Sequence, residues 1–271
     1  MVELFLIQTA NLMSTNPFKD HFSALARSYA ASRPEYPDAL FDAIGAHLPA
    51  GPVRVWEPGC GSGQATRGLA ARYQRVHATE PSAAQIERHW AREAALRGEG
   101  KVELAIEPAE RCSLDDASVE LVAVAQAMHW FERERFFAEC ERMLVPGGVL
   151  AVWAYGDFLA PEGMVEAVEA FRARIDPYWQ PENAEVRDRY AGYAWPFAAL
   201  PAPELWLEAE WSLGRWLGYL HSLSAVERCR AATGDDPVAL HRTALSAAWG
   251  AAEDLRTIQW PLHLHLRRKP G

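Results

Sequence analysis

The chain has 271 residues, of which 49% are hydrophobic and 23% are charged. These fractions are typical of globular proteins and exclude wholesale disorder and collagen-like or coiled-coil organisation. At about 150 residues per domain, the length predicts one or two domains. Asp and Glu number 36 against 27 Lys and Arg, a net charge of −9. A nucleic-acid partner is therefore disfavoured, because no broad basic surface is available.

The cysteines lie far apart and form no CxxC pair; they are Cys60, Cys112, Cys140 and Cys229. This spacing fits neither a zinc ribbon nor a disulfide framework, so we expect reduced thiols and a cytoplasmic location. The apolar runs are shorter than the roughly 20 residues that span a bilayer. The first residues carry no basic segment of a secretion signal. No membrane partner is expected, and the assembly is a monomer or a homodimer.

Hydrophobic periodicity predicts alternating helices and strands up to residue 155. Residues 1–20 are expected to be an irregular extension. Helices are predicted over 20–33, 37–49, 65–73, 82–96 and 133–143, and strands over 53–57, 75–79, 101–106, 119–125 and 148–155. Strands that alternate with helices pair in parallel through right-handed crossovers. The predicted fold class is α/β, a Rossmann-like, doubly wound, seven-stranded sheet with an N-terminal helical lid and an inserted helical cap.

The alternation ends near Gly156, where a segment rich in proline and aromatic residues begins. Further helices are predicted over 165–175, 178–190, 216–233 and 237–249, and strands over 204–212 and 257–266. Pro261 lacks a backbone N–H, which predicts a bulge or break in the last strand. Nine of the 11 Trp residues lie from Trp130 onward. They indicate either an ordinary aromatic core or the lining of a small-molecule cavity.

A glycine-rich turn directly follows the first predicted strand and opens a helix. Residues 57–63 read Glu-Pro-Gly-Cys-Gly-Ser-Gly, an ExGxGxG pattern. Glycines allow the backbone to turn tightly and to approach a ligand closely. The third glycine is misplaced for a dinucleotide-binding GxGxxG, which disfavours a dehydrogenase, and no GK[ST] follows for a P-loop. The predicted ligand contacts of this turn are Glu57, Gly59, Cys60, Gly61 and Gly63.

A carboxylate, Glu80, ends the next predicted strand 17 residues after Gly63 and is followed by Pro81. An acid at this position of a nucleotide-binding α/β fold accepts hydrogen bonds from a ribose. Glu80 alone would be interpreted as a solvated loop acid. Its place at a strand end, after a glycine turn, favours ribose binding instead.

Together these features resemble the class I S-adenosylmethionine-dependent methyltransferases with a type 11 domain, over residues 22–269. Residues 107–110 are similar to the family's adenine-contacting loop, 126–131 to its fourth motif and 144–150 to its proline-glycine turn. Segments 29–37 and 125–130 are similar to a branch that includes the trans-aconitate methyltransferases. Pro108 stands where many relatives have Asp, so adenine is expected to be recognised by Glu110 or by backbone groups.

The resemblance implies S-adenosylmethionine as the cofactor. Tyr29 and Arg33 are four residues apart and share a helix face if the helix reaches that far. Arg33 is expected to pair with the methionine carboxylate of the cofactor, for which guanidinium geometry is suited; an arginine in solvent is the alternative. The remaining predicted cofactor contacts are Ala109, Glu110 and Gln126.

Methyl transfer from a sulfonium requires alignment and a dry pocket. His129 follows the fourth strand, where ligands gather, and is the candidate catalytic residue. A hydroxyl or amine acceptor would use it as a base, a carboxylate acceptor needs none, and a purely structural histidine is the alternative. The predicted pocket residues are His129, Trp130, Trp153, Tyr178 and Trp179.

The predicted function is methylation of a small organic acceptor, with O-methylation of a carboxylate as one form. The alternatives are a natural-product O- or N-methyltransferase with a bulky apolar acceptor and a non-catalytic cofactor-binding protein. The predicted domains are the extension 1–20, a cofactor-binding domain 21–155, a helical substrate cap 156–203 and a closing part 204–271. No metal site is predicted, because His263 and His265 lack a third ligand.

Overall fold

The computed structural model describes residues 33–92 and 100–271, and an eight-stranded sheet forms the centre of this part. The strands are β1 Arg54–Pro58, β2 Arg75–Thr79, β3 Val102–Ala105, β4 Val119–Ala125, β5 Leu144–Tyr155, β6 Ala198–Leu200, β7 Leu205–Trp211 and β8 Arg256–Arg268. The first five pair in parallel in the order β3-β2-β1-β4-β5. β8 lies antiparallel beside β5, and β6 and β7 pair with β8. The doubly wound α/β class is confirmed, but the sheet has eight strands rather than the predicted seven, because β6 was not predicted.

The helices are α1 Asp38–Gly45, α2 Thr66–Arg72, α3 Ala83–Arg92, α4 Arg133–Met143, α5 Val165–Ile175, α6 Glu182–Arg187, α7 Leu213–His221, α8 Ser224–Thr233 and α9 Pro237–Trp249. Short 3₁₀ turns occupy Met128–Trp130 and Asp176–Tyr178. No helix of residues 33–92 and 100–271 is both long and apolar enough to cross a membrane. The predicted helix before residue 33, with Tyr29, and the extension 1–20 lie outside the described residues, as do residues 93–96 of the predicted third helix.

Four helix and strand predictions differ from the structure. The segment predicted as one helix over 216–233 is two helices, because the Ser222 hydroxyl donates to the Tyr219 carbonyl (2.6 Å) and Leu223 is extended. The predicted helix 178–190 shortens to α6, and the three-residue β6 was missed since it shows no alternation of polar and apolar residues.

β8 also runs through Pro261 without the predicted bulge or break. Its first half pairs with β7 in an unbroken register, with Pro261 opposite Trp206. The ladder with β5 begins only at Leu262, opposite Tyr155. At Pro261, β8 therefore pairs on one side only, with β7. A strand tolerates a missing N–H donor where its other side is unpaired.

Alternate side chains of the central strands face two separate cores, as both faces of a doubly wound sheet are covered. Val55, Leu121 and Trp153 point to the first core, which α1, α2, α5 and α7–α9 cover. Trp56, Val122 and Val152 point to the second core, which α4, α6 and residues 190–197 cover. The segment 156–203 therefore contributes to both faces.

Asp236 caps the N-terminus of α9, and its substitution tests how much this cap stabilises the fold. Its carboxylate accepts from the backbone N–H groups of Val238 (3.0 Å) and Ala239 (3.2 Å). Burial raises its pKa, but these bonds and His221 outweigh burial and leave the pKa below the ordinary 3.8. We expect Asp236→Ala to lower the free energy of unfolding by about 0.5–2 kcal/mol at neutral pH, measured by urea denaturation.

Because the folded-state pKa is depressed, this stabilisation is present above the unfolded-state pKa and is lost as pH falls through the folded-state value. The deficit of Asp236→Ala should therefore vanish in acid. The exposed Glu253→Ala is the matched control and should have no comparable effect. Equal stability of the two variants at pH 7 would contradict the capping role.

Candidate functional site

The glycine turn lies between the end of β1 and the start of α2. Gly59, Gly61 and Gly63 all have positive φ, between 54° and 85°, a conformation that side chains disfavour. A Cβ on Gly59 would lie 2.8 Å from the Ala127 Cβ, and one on Gly63 would lie 2.4 Å from the His89 ring. The turn therefore requires glycine both for its backbone and for its close approach to the loop after β4.

Glu57 connects this turn to the helix that follows. Its carboxylate is buried, and Oε2 accepts a hydrogen bond from the Thr66 hydroxyl (2.6 Å). Thr66 is the first residue of α2, so the bond fixes the start of the helix against the end of β1.

Glu80, one residue after β2, is only 4% exposed. Its two oxygens accept from the backbone N–H groups of Gly61 and Ser82, each at 3.1 Å. Burial raises the pKa of this carboxyl, and the two N–H groups offset part of the rise. Each carboxylate oxygen has a second lone pair, so Glu80 can shape the turn and also accept ribose hydroxyls.

The segment before α1 contacts the glycine turn, since the Gln64 side-chain amide donates to the Pro34 carbonyl (2.6 Å). The neighbouring Arg33 guanidinium lies 5.1 Å from the centre of the Tyr219 ring and donates to the Ser222 carbonyl at 3.5 Å. Its positive charge thus lies where α7 meets this segment. Gln64 was not predicted as a site residue, and nothing in its sequence context distinguishes it from a solvated glutamine.

Gln126 connects the ends of β4 and β5. Its backbone has a positive φ of 54°, and its N–H donates to the Trp153 carbonyl at 3.0 Å. Its side-chain amide donates to the Tyr155 carbonyl at 2.7 Å. Strained backbone of this kind is frequent at functional sites, and here hydrogen bonds on both sides hold it in place.

His129 lies in the 3₁₀ turn after Gln126, with Nδ1 3.1 Å from the Tyr190 hydroxyl. Burial lowers its pKa to about 4, so the imidazole is neutral at physiological pH. Burial also raises the pKa of the Tyr190 phenol, which keeps its proton. Sequence analysis placed Tyr190 in the predicted substrate cap but did not pair it with His129, because 61 positions separate the two residues.

The other predicted pocket residues are not brought together around His129. Trp130 contacts the His129 ring and is 37% exposed, whereas Trp153 is fully buried in the first core against Tyr36. Tyr178 and Trp179 pack against the edge of the first core. The structure thus places His129 and Trp130 at one location and the other three aromatic residues at another.

The predicted adenine-contacting residues lie on the second face. Ala109 is buried in the second core, and Glu110 accepts from the Glu132 N–H (2.8 Å) immediately before α4. Pro81 is exposed directly after Glu80.

A cleft of about 540 Å³ lies at the opposite edge of the sheet, lined by residues that precede β1, β2 and β3, among them Val53, Gln74 and Lys101. Ligands of open α/β sheets bind at the carboxyl ends of the strands. We therefore place the functional site at the glycine turn and not in this cleft.

Comparisons with known proteins indicate the family of this chain. Residues 56–152 match a family described as a methyltransferase domain. A protein named as a methyltransferase in Dictyostelium discoideum is 28% identical over 96% of this chain and 99% of its own length. An uncharacterized methyltransferase of Mycobacterium tuberculosis is 36% identical over 49% of this chain and 51% of its own. A solved structure from Anaeromyxobacter dehalogenans, assigned as a type II methyltransferase, is 38% identical, covers 88% of this chain and 99% of its own, and superposes with a TM-score of 0.79.

Glu80→Ala tests the ribose contact. We expect it to weaken the binding of S-adenosylhomocysteine by about 1.5–3 kcal/mol, the range for a hydrogen bond to a charged group, as measured by calorimetry. The exposed Glu87→Ala on α3 is the control and should bind normally. An unchanged dissociation constant in a folded Glu80→Ala variant would assign the ribose to other residues.

Gly63→Ala tests the close approach of the turn to His89. The variant suffers both from its positive φ, which costs about 1–2 kcal/mol, and from the collision with a fully buried ring. Gly147→Ala has a similar φ of 78° with open space around the Cβ, so it carries the backbone cost alone. We expect Gly63→Ala to lower the melting temperature more than Gly147→Ala does. In a His89→Ala background, where the ring is absent, Gly63→Ala should lower the melting temperature by less than it does in the wild-type chain. Equal losses in the two single variants would contradict the collision.

Proposed function

Because this chain belongs to the class I S-adenosylmethionine-dependent methyltransferases, we propose that it methylates a small organic acceptor at a carboxylate oxygen. The bound cofactor supplies an electrophilic methyl group on its sulfonium sulfur. What this chain supplies is the binding, orientation and desolvation of the two reactants.

The glycine turn and Glu80 fit the cofactor. Gly59, Gly61 and Gly63 have no side chains, so the backbone of the turn can approach a ligand closely, and the Glu80 carboxylate lies against Gly61. We assign Glu80 to the ribose hydroxyls, and Arg33 to the methionine carboxylate as its counter-charge. Gln126, which joins β4 to β5, is assigned to the wall between cofactor and acceptor.

The observation that carries the acceptor class is the neutral, weakly basic His129. A group with a pKa of about 4 accepts a proton poorly from an alcohol or amine. A carboxylate is already nucleophilic at neutral pH and requires no base. A carboxylate acceptor is therefore the class that needs least from this histidine.

His129 orients such an acceptor in this proposal. We assign the protonated Tyr190 hydroxyl as the hydrogen-bond donor to His129 Nδ1, and this choice puts the ring hydrogen on Nε2. Nε2 makes no hydrogen bond within residues 33–92 and 100–271, so its N–H is available to a carboxylate oxygen. Partial burial of the imidazole lowers the local dielectric and strengthens this bond.

The predicted substrate cap, 156–203, is limited in this proposal to the part that lies near His129. Of the segment 156–203, α5 packs on the first core with α9, whereas α6 and Tyr190 lie next to the 3₁₀ turn that carries His129. We propose that the part from α6 to Trp195 covers the acceptor. The net charge of −9 supports a small acceptor over a nucleic acid, and four buried free thiols support a cytoplasmic location.

A bulky apolar hydroxyl or amine acceptor is the second candidate. It is favoured by the aromatic surroundings of His129, where Tyr190, Tyr193 and Trp195 form a continuous series with ring centres 4.9 and 5.5 Å apart. With such an acceptor, His129 would act as the base.

His129→Ala distinguishes the two candidates in a labelled-methyl transfer assay against panels of carboxylic acids, phenols and amines. For a carboxylate acceptor we expect turnover to fall by less than about tenfold, because no proton is removed. For a hydroxyl or amine acceptor the loss should reach about 10²–10⁴. His47→Ala, at a half-buried histidine far from His129 in the sequence, is the control. If the protein binds S-adenosylhomocysteine but transfers methyl groups to none of these compounds, the result would instead favour a non-catalytic cofactor-binding protein.

A further inference from the structure

His77 is a buried histidine whose hydrogen-bonding capacity is unused. It lies on β2 beside Trp56 of β1, faces the second core and is 5% exposed. Neither ring nitrogen has a hydrogen-bond partner within the described residues. Leaving buried polar groups of this kind unsatisfied is costly, so a native structure normally provides each with a partner.

Two carboxylates lie close to the ring without bonding to it. Glu107 Oε2 is 3.6 Å from Nε2, and Glu103 Oε2 is 3.8 Å from Nδ1. Both distances are too long for hydrogen bonds. A separation of 3.6 Å does suit two atoms that bind the same ion, since tetrahedral zinc ligands lie roughly 3.4–3.6 Å from one another.

Cys112 supplies a third donor. His77, Glu107 and Cys112 each offer one ligand atom, and these atoms all lie within 4.8 Å of one another. Backbone bonds hold the two loop residues in place: the Cys112 N–H donates to Glu139 (2.6 Å), and the Ser113 N–H donates to Glu107 (3.1 Å). The cluster thus joins β2 to the loop between β3 and β4.

The surroundings favour a cation. Arg142 pairs with Glu139 and Arg75 with Glu103, so the charge of Glu107 has no arginine partner among the described residues. A divalent ion would compensate that charge.

We propose that His77 Nε2, Glu107 and Cys112 Sγ bind a zinc ion, with water as the fourth ligand. Nitrogen, carboxylate oxygen and thiolate sulfur are the ligands that zinc accepts in proteins. The thiol proton passes to solvent as the ion binds. Glu103 lies behind the ring and accepts from Nδ1–H after a small side-chain movement, as carboxylates do behind metal-bound histidines.

The site is separate from the proposed methyl-transfer chemistry. Its ligands face the second core. One of them, Glu107, is the first residue of the predicted adenine-contacting loop, 107–110. β2 itself ends one residue before Glu80. The ion would therefore stabilise the positions of two cofactor-facing segments without contacting the acceptor.

The full chain is treated with a chelator and titrated with Zn²⁺ by calorimetry and with Co²⁺ by absorption spectroscopy. We expect one Zn²⁺ per chain and a thiolate-to-cobalt charge-transfer band. Cys112→Ser and His77→Gln should abolish both, whereas Cys229→Ser, a buried cysteine on α8, should retain them. Glu103→Gln should keep the stoichiometry and weaken zinc binding by about 10–100-fold.

The absence of saturable Zn²⁺ binding in the wild-type chain would overturn the proposal. So would binding by Cys112→Ser as tight as that by Cys229→Ser, which would show adventitious zinc only. If His77→Gln fails to fold, the two cysteine variants still decide. The readouts are independent of methyl transfer, so failure of the zinc site and failure of the proposed function are distinguishable.

Discussion

The close contact between the glycine turn and the loop after β4 is the constraint on which the functional site depends. A side chain on Gly59 would collide with Ala127 Cβ and the Phe131 ring. Because no side chain intervenes, the end of β1 and the end of β4 lie close enough for one ligand to contact both. The positions of His129 and Gln126 relative to Glu80 follow from this contact.

Buried polar groups at this edge are held by backbone hydrogen bonds rather than by ion pairs. Glu80 accepts from two backbone N–H groups, and Gln126 donates to the Tyr155 carbonyl. Such bonds satisfy the groups without requiring a counter-ion, whose desolvation would add a further cost. His129 likewise requires no counter-ion, because it remains neutral. The edge therefore offers oriented donors and acceptors to a ligand that brings its own positive charge.

The tryptophan-rich second half of the chain mostly forms a core. Trp211, Trp216, Trp249 and Trp260 are buried and contact one another or Tyr219. Within the segment 156–203, α6 and Tyr190 lie beside the 3₁₀ turn that carries His129. Because the sheet separates its two faces, one contiguous segment of sequence serves both as core for α9 and as a neighbour of His129.

The sequence alone determined the features that neighbouring residues encode. Alternation of helices and strands, the ExGxGxG turn and the acid at the end of β2 each depend on short patterns, so the fold class and the cofactor family could be predicted from them. Only the tertiary structure decided which distant residues meet: Tyr190 with His129, and His77 with Glu107 and Cys112. Trp153 and Trp130 differ in exposure for the same reason. Sheet order, strand register and the positive φ of Gln126 arise from contacts between elements, and no local pattern records them.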